Sequence, residues 1–505
     1  MDILVSRRSF LAGATAVSLS GCIGGRGGFL SGRPNLRFGV VSDIHITDWA
    51  SAEVFRKTLL WYRDQGVDAV MIVGDIADHG IMPQLENVAK AWYEAFPDDR
   101  APDGRRVEKL FVYGNHDVEG LGYNDKWMNA AFAVHGITKE QAKDLEIRRL
   151  GLDKAWEQCF NEPYAPIYRK SVKGYDFIGG HWDKWNGIGA LEDWFKANAS
   201  KIDTGKPFFY FQHPHPKDTV YGPWAWGHDD GQATRALAPY ANAVAFSGHS
   251  HTSLTDERSV WRGAFTSIGT ASLSYTCLGG ARENSSGASW LGKRQMKSLN
   301  AVARAAVIGE EGGVPVRQGQ LVDVFSDRMV IRRRDFVRDE DLDEAWLLEM
   351  PTKASPFSAR AARSAAPEFL KGALEEAHVT FERGPDRSGK ETDQVAVSFY
   401  PAIAEKSTRP FDYELTLEAR ESDVEAVVKT FRFYSPTARL AKRHDEEAEP
   451  HGCVRYLKYL VARSELPQKA EFRFAVRALN CYGVKGAPIF SKWMRIPPSA
   501  QKTNS

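Results

Sequence analysis

Five short apolar segments, each followed by a polar cluster, constrain the fold of this chain more than any other feature. They have the length and character of buried strands. The segments are Leu36–Val41, Val67–Val73, Leu110–Tyr113, Phe208–Phe211 and Val244–Phe246. Two stretches with helical periodicity, Ala52–Gln65 and Leu85–Phe96, separate the first three. This alternation predicts an α/β layered domain whose strands deliver their polar clusters to one edge of a sheet.

The polar clusters contain the residue types that bind metal ions. They are Asp43-Ile44-His45, Gly74-Asp75, Gly114-Asn115-His116-Asp117, His213 and Gly248-His249-Ser250-His251. Carboxylate oxygens and imidazole nitrogens suit divalent transition metals, and glycine lets the main chain turn sharply close to an ion or a phosphate. In an extended segment, residues two apart point to the same side, so Asp43 with His45, and His249 with His251, can converge on one site.

This set of clusters, in this order, resembles the calcineurin-like metallophosphoesterase superfamily over about residues 36–350. The resemblance implies a β-sandwich flanked by helices and two divalent metal ions, which would be Mn, Fe or Zn. The first ion would be held by Asp43, His45, Asp75 and His251, and the second by Asp75, Asn115, His213 and His249. Asp75 would bridge the ions, and a shared hydroxide would hydrolyse a phosphate monoester or diester.

Three further positions match the family. His116 corresponds to the general acid that protonates the leaving oxygen. Asp117 is predicted to orient His116, with a turn-capping role as the alternative. Asp78 is predicted to support a metal ligand or to cap a helix. Purple acid phosphatases, a related branch, have a tyrosine ligand near the place of Asp78 and lack the histidine that stands here as His45, so the resemblance argues against an Fe(III)-tyrosinate site.

Several histidines and tryptophans near the strand ends are candidates for substrate binding. His213 is assigned as a ligand because it comes first after its strand, whereas His215 either lines the substrate pocket or is exposed. His181, Trp224 and Trp226 belong to aromatic loops that either form a pocket wall for a ring or pack locally. The insertion 279–319 is either a lid over the cleft or a solvated face.

The remaining chain divides into a linker and a second domain. A hairpin of Gln320–Phe325 and Arg328–Phe336 precedes the end of the catalytic domain, assigned to residues 34–351. Residues 352–368 form a linker, residues 369–498 a smaller all-β sandwich, and residues 499–505 a tail. The sandwich is predicted from period-two alternation. Its predicted strands are Phe411–Leu417, Val427–Phe433, Tyr456–Val461, Phe472–Leu479 and Trp493–Ile496.

The stretch from Phe472 to Gly483 resembles the last strands of a fibronectin type III domain. Phenylalanine stands where a corner tyrosine would be expected, and it cannot form the tyrosine's hydrogen bond. The predicted path of the strands places Cys453 and Cys481 near each other. They either form a disulfide or remain free. Modules of this kind bind a partner, separate neighbouring domains or support them. A contact with the cell surface or with carbohydrate is one such role.

The first 33 residues are predicted to be an export signal and tether. Arg7 and Arg8, followed by the apolar run Phe10–Gly21, resemble a twin-arginine signal. Leu19-Ser20-Gly21-Cys22 resembles a bacterial lipobox, which predicts that Cys22 is lipidated; an ordinary cleaved signal is the alternative. We therefore expect a periplasmic or cell-surface protein, held to a membrane by an N-terminal lipid anchor.

The charge balance removes one class of function. The chain has 66 Lys and Arg residues against 65 Asp and Glu residues, so no basic surplus indicates nucleic-acid binding. The leading hypothesis is a metal-dependent phosphoesterase. The alternatives are a surface-tethered binding protein that kept the fold without activity, and a nucleotide-specific hydrolase.

Overall fold

The structure is a computed structural model. It describes residues 32–122, 132, 135–182, 188, 190–277, 282–283, 310–311, 314–369, 376–385, 390–403, 409–422, 424–441 and 457–497. Asn35–Ser505 form one compact unit, separate from Met1–Pro34. The export signal with Cys22, the side chain of Trp224, Cys453 and most of the insertion 279–319 lie outside the described residues. Among the described residues, no helix has both the length and the apolar character needed to cross a membrane.

Fifteen strands form the N-terminal part of the described chain. They are β1 (Leu36–Val41), β2 (Ala69–Val73), β3 (Glu108–Val112), β4 (Ile167–Val172), β5 (Tyr175–Gly180), β6 (Phe208–Gln212), β7 (Ala243–Ser247), β8 (Val260–Arg262), β9 (Thr266–Gly269), β10 (Glu310–Glu311), β11 (Val314–Pro315), β12 (Gln318–Val324), β13 (Arg328–Asp335), β14 (Glu340–Asp341) and β15 (Trp346–Glu349). The helices are α1 (Trp49–Asp64), α2 (Met82–Ala95), α3 (Asn115–Glu119), α4 (Lys139–Asp144), α5 (Ile147–Leu150), α6 (Leu152–Phe160), α7 (Leu191–Asn198), α8 (Gln232–Leu237) and α9 (Phe357–Ala361).

Two sheets pack face to face in this part. Sheet 1 has the order β14-β13-β12-β1-β2-β3, with β15 paired to β13, and sheet 2 has the order β4-β5-β6-β7-β9-β8. Aromatic rings fill the layer between them, with the ring of Phe38 5.3 Å from Phe177 and 5.1 Å from Phe209. Helices α1, α2 and α6 cover the outer face of sheet 1, and α7 and α8 cover that of sheet 2. The predicted α/β layered fold, a β-sandwich flanked by helices, is confirmed.

The first helix shows how local sequence fixes an element beside the site. Asp48 caps α1, because its carboxylate accepts the N–H of Ser51 while the Ser51 hydroxyl oxygen accepts the N–H of Asp48. The helix therefore starts at Trp49, three residues before the predicted start. Its buried Tyr62 hydroxyl lies 2.9 Å from the carbonyls of Val40 and Gln320, which fixes the helix to sheet 1.

Two antiparallel sheets form the C-terminal part. Their strands are β16 (His378–Pro385), β17 (Glu391–Phe399), β18 (Asp412–Glu421), β19 (Val424–Tyr434), β20 (Leu457–Ala462), β21 (Glu471–Leu479) and β22 (Ile489–Phe490). Sheet 3 has the order β16-β17-β20 and sheet 4 the order β19-β18-β21-β22, with one apolar core of residues from both sheets. The predicted all-β C-terminal part is confirmed, whereas its fibronectin type III assignment stays a prediction. Cys481 is buried and forms no disulfide with another described residue, and its pairing with Cys453, which lies outside the described residues, stays a prediction.

The predicted strand Trp493–Ile496 is wrong. In its place, β21 pairs with β22, and Met494 forms only an isolated bridge with Phe472. The ladder is interrupted because the Ser491 hydroxyl accepts the N–H of Phe474, so a side chain takes the position of a main-chain acceptor. Strands β16 and β17 are additional elements that the sequence analysis does not predict.

Candidate metal centre

The carboxyl ends of parallel strands from both sheets meet at one place. Strands β1, β2 and β3 run parallel in sheet 1, and β5, β6 and β7 run parallel in sheet 2. Main-chain hydrogen bonds join the loops that follow them: the N–H of Asp43 donates to Gly74 O at 3.0 Å, and that of Gly248 donates to His213 O at 3.0 Å. The polar clusters predicted from the sequence are thus brought to a common edge.

The first predicted ligand group is assembled. One ligand atom from each of Asp43, His45, Asp75 and His251 lies within 4.8 Å of the others, and all four side chains are buried. His251 Nε2 is 3.0 Å from Asp43 Oδ1 and 3.3 Å from His45 Nε2. His45 Nε2 is 3.6 Å from Asp75 Oδ2.

The second predicted group shares Asp75 with the first. Ligand atoms of Asp75, His213 and His249 also lie within 4.8 Å of one another. His213 Nε2 is 3.1 Å from Asp75 Oδ2 and 3.1 Å from His249 Nδ1. Asn115 is buried at the first residue of α3, between Gly114 and His116, and the N–H of His116 donates to Asp75 Oδ1 at 2.9 Å.

The tautomers of the histidines show that these groups fit cations. His251 Nδ1 lies 2.8 Å from Tyr275 O, and His213 Nδ1 lies 2.8 Å from Val73 O. A carbonyl only accepts, so each Nδ1 carries a proton, and in the neutral ring that binds a metal ion each Nε2 presents a lone pair. In the first group, His45 Nδ1 similarly faces Asp78 Oδ1 at 2.8 Å, so lone pairs of two imidazoles and two carboxylates converge. Such a set repels itself unless cations lie within it.

Two glycines make the close approach feasible. A Cβ at Gly114 would lie 2.3 Å from Asp75 Oδ1, and a Cβ at Gly248 would lie 2.4 Å from Asp43 Oδ2. Any other residue at these positions would push the carboxylates out of place. The types of ligand atom, the short distances between them and the orientation of their lone pairs therefore all suit two divalent ions.

Five of the seven predicted ligand residues have left-handed backbone. Their φ angles are 49° for Asp43, 44° for His45, 50° for Asp75, 67° for His249 and 53° for His251. Non-glycine residues rarely adopt this region, and strained backbone of this kind concentrates at functional sites.

The charges within the groups shift the pKa values strongly. Burial raises the pKa of Asp43, but His251 and His213 outweigh this effect and lower it to about 2. Burial lowers the pKa of His213, but Asp75 and Asp43 raise it to about 9. The centre therefore keeps its carboxylates ionised and attracts positive charge.

The sequence profile of calcineurin-like phosphoesterases matches residues 36–253, which span every cluster just described. Residues 36–253 form a calcineurin-like phosphoesterase domain. The chain is accordingly a metal-dependent phosphoesterase whose clustered His and Asp residues are arranged for a dinuclear site.

Solved structures resemble this chain only distantly. A dimetal phosphatase from Danio rerio is 15% identical with a TM-score of 0.34, covering 62% of this chain and 98% of that one. GAP50, the anchor in the inner membrane complex of Plasmodium, is 13% identical with a TM-score of 0.32, covering 63% and 90%. A predicted phosphoesterase from Streptococcus pneumoniae is 14% identical with a TM-score of 0.24, covering 62% and 97%. A search of curated proteins finds no match.

Asp78 organises one side of the phosphoesterase centre. Its carboxylate accepts from His45 Nδ1 at 2.8 Å and lies 3.1 Å from His79 Nδ1. Its main-chain carbonyl accepts from His116 Nδ1 at 2.7 Å. These bonds favour the predicted supporting role of Asp78 over helix capping, because they orient a predicted ligand of the first group and the candidate general acid together.

The predicted role of Asp117 in orienting His116 is wrong. The Asp117 carboxylate is fully buried and accepts main-chain N–H groups from Gly114 at 2.7 Å, Ile76 at 3.1 Å and Ala77 at 2.6 Å. Its side chain therefore fastens the loops after β2 and β3 to each other and is not a catalytic group. Burial and the charge of Asp75 raise its pKa to about 7.

His181 does not line a substrate pocket as predicted. Its ring is 2% exposed and is enclosed by Trp156, Tyr164 and Tyr168, and its Nδ1 accepts the N–H of Tyr113 at 3.1 Å. Burial lowers its pKa to about 3, so the ring is a neutral part of the core.

His215 is also misassigned as a substrate residue. It is 1% exposed, and its Nδ1 and Nε2 lie 2.7 Å from Ser247 Oγ and 2.8 Å from Ser250 Oγ. The substrate role of Trp226 stays a prediction; its indole N–H donates to Val220 O at 3.0 Å.

Replacing His215 with alanine is expected to lower stability rather than substrate affinity. The change removes the partner of the buried Ser247 hydroxyl and one of the partners of the Ser250 hydroxyl, which costs about 1–3 kcal/mol. Urea unfolding of the metal-loaded protein measures the loss. An increased KM with unchanged unfolding would show that His215 contacts substrate after all.

Three residues beside the centre are not predicted as site residues from the sequence. The ring of Tyr275 packs 4.3 Å from His251, that of Trp182 6.0 Å from His249, and His228 Nδ1 lies 3.2 Å from His249 Nε2. Trp182 and His228 stand in the aromatic loops noted above. Tyr275 follows β9, a parallel strand that the sequence analysis does not predict. A predicted strand at β9 would have placed Tyr275 near the same edge of the sheet.

Proposed function

We propose that this chain hydrolyses phosphate monoesters or diesters with two divalent metal ions and His116 as general acid. The observation that carries this proposal is the pair of ligand groups sharing Asp75, with His116 fixed beside them. Asp43, His45, Asp75 and His251 would hold one ion, and Asp75, Asn115, His213 and His249 the other. When bound, such ions supply a nucleophilic hydroxide at neutral pH and neutralise charge on the phosphoryl oxygens.

The protein's own residues keep the centre in one arrangement. Tyr275 O and Val73 O fix the rings of His251 and His213, and the Asp78 carboxylate fixes that of His45. The phosphate ester therefore meets preorganised groups, which is the main source of rate enhancement in such reactions.

His116 is positioned to give a proton to the leaving oxygen. Because its Nδ1–H donates to Asp78 O at 2.7 Å, Nε2 is the nitrogen that exchanges a proton with substrate. Burial lowers the pKa of His116, but the charges of Asp75 and Asp78 outweigh this effect, so its pKa is raised above the usual value. In the metal-free centre the raised pKa favours the protonated ring.

Removing the metals is expected to abolish turnover reversibly. The test follows hydrolysis of p-nitrophenyl phosphate and bis-p-nitrophenyl phosphate by the purified protein after EDTA treatment and after addition of Mn(II) or Zn(II). Restored hydrolysis of either ester supports the proposal, and the ratio between the two distinguishes monoester from diester preference. Binding of two ions without turnover of any phosphate ester would favour the binding-protein alternative, whereas absence of metal binding would refute the proposal.

The N-terminal sequence also supports a proposed location. Lipidation of Cys22 would tether the enzyme to a membrane, outside the cytoplasm. A Cys22→Ala variant should then leave the membrane fraction and lose the mass of the lipid. Unchanged partitioning and mass would contradict the anchor.

A further inference from the structure

The metal ligand His251 is held by the segment 275–277. Its Nδ1–H donates to Tyr275 O at 2.8 Å, and its own carbonyl accepts the N–H of Cys277 at 2.7 Å. The two stretches form a parallel bridge between Thr252 and Cys277. Both the ring and the main chain of His251 therefore depend on where this segment lies.

The C-terminal part, through β18 and the turn after β19, contacts the chain on this side of His251. The guanidinium of Arg439, which is 1% exposed, donates to Thr276 O at 3.4 Å. Five residues beyond Cys277, Arg282 donates to both carboxylate oxygens of Asp412, at 2.9 Å and 2.8 Å. Asp412 is the first residue of β18. Two hydrogen bonds from one guanidinium to both oxygens of a carboxylate fix the orientation of the two side chains as well as the distance between them.

The same C-terminal region also contacts the chain just after His251. The hydroxyl of Thr255 donates to Ala438 O. The fully buried Gln318 accepts the N–H of Leu254 at 2.8 Å and donates to Arg439 O at 2.8 Å. Thr255 itself is 1% exposed, so no water competes for these bonds.

We propose that the C-terminal β-sheets position His251 and thereby set the affinity of the first ligand group for its metal ion. The inference rests on the proposed function, since it assumes two bound ions. Thr255, Arg282 and Arg439 are positioning residues, acting through His251. The bonds of these three residues join the C-terminal part to the chain on both sides of His251, which belongs to the first group, so the effect should fall on the ion of that group.

The first test replaces Thr255 with valine in the full-length chain. Valine keeps the shape of the side chain and removes the hydroxyl that bonds to Ala438 O and to Ser253 Oγ. Thr266→Val is the matched control, because Thr266 is equally buried and its hydroxyl is bonded to Thr352, away from both ligand groups. Mn(II) titration followed by EPR of the free ion gives the number of ions bound and the affinity of each.

We expect Thr255→Val to weaken binding of one ion by about 10–100-fold, as loss of support for a ligand generally does, and to leave the other unchanged. A His251→Ala variant identifies which binding phase belongs to the first group. Thermal unfolding in EDTA separates this effect from stability, because a purely structural role would lower the unfolding temperature of Thr255→Val and Thr266→Val alike without changing either affinity.

The second test replaces Arg282 with glutamine. It tests the same inference independently, and it is needed if Thr255→Val does not fold. Its control is Arg420→Gln, which removes an arginine–carboxylate pair with Glu471 near the other end of β18. The same weakening of one ion should appear for Arg282→Gln and for Asp412→Asn, with no additional loss in the double variant. Wild-type affinity for both ions in these variants would overturn the inference while leaving the proposed function intact. Absence of metal binding by the wild-type protein would instead overturn the proposed function itself.

Discussion

Replacing Asp75 with asparagine is expected to disrupt both metal sites at once and to reduce turnover by at least about 10³-fold, the upper range for losing one group that stabilises charge in the transition state. Asp75 is the residue common to the two ligand groups. Its Oδ2 lies 3.1 Å from His213 Nε2 and 3.6 Å from His45 Nε2, and its Oδ1 accepts the N–H of His116. Asparagine keeps the shape but removes the negative charge and one acceptor.

The measurement pairs steady-state hydrolysis with metal analysis of the purified variant. Asp176→Asn is the control, because Asp176 is also a buried carboxylate with a close cation, Arg169 at 2.6 Å, but lies on β5 away from the centre. The control should retain two ions and near-normal turnover. If Asp75→Asn also kept two ions at wild-type affinity, Asp75 would not bridge them.

Replacing His116 with alanine is expected to slow hydrolysis by about 10²–10⁴-fold for esters with poor leaving groups, because the departing alkoxide is no longer protonated. Esters of p-nitrophenol need little protonation and should lose much less activity. Metal content should not change, since the predicted ligands do not include His116. The experiment compares alkyl and p-nitrophenyl esters under identical metal loading.

Two outcomes would reject that role for His116. An equal loss on alkyl and p-nitrophenyl esters would indicate that His116 acts on the phosphoryl group or the metals rather than on the leaving oxygen. Loss of an ion would show that His116 is itself a ligand. A His116→Gln variant, which retains a polar side chain without an acid of suitable pKa, should behave like His116→Ala.

The ligand set could be predicted because strand ends and spacing are local properties. Leu36–Val41 is observed with its predicted bounds, and the hairpin of β12 and β13 pairs as expected. Each predicted ligand follows a strand that the apolar pattern reveals, so its place in the sheet follows from the topology. The family resemblance implies what spacing cannot, namely how the predicted ligands would divide between two ions.

The residues that the sequence analysis assigned wrongly have side-chain orientations that depend on tertiary contacts. Sequence spacing does not reveal these contacts. His181 and His215 also follow strands, but their rings turn into the protein, towards Tyr113 and towards Ser247 and Ser250. Asp117 is next to His116 in sequence, yet its carboxylate points to main-chain N–H groups on the loop after β2. Only tertiary packing determines which of two neighbouring polar residues faces the cleft.

The left-handed backbone at five of the ligands has an evolutionary consequence. Left-handed backbone costs roughly 1 kcal/mol per residue, against a net stability of about 5–15 kcal/mol for a typical domain. Glycine at any of these positions would relieve the strain and remove a ligand in the same step. A lineage that ceased to need the metals could therefore gain stability by substitutions that remove their ligands. We expect the strained centre to persist only where catalysis is under selection.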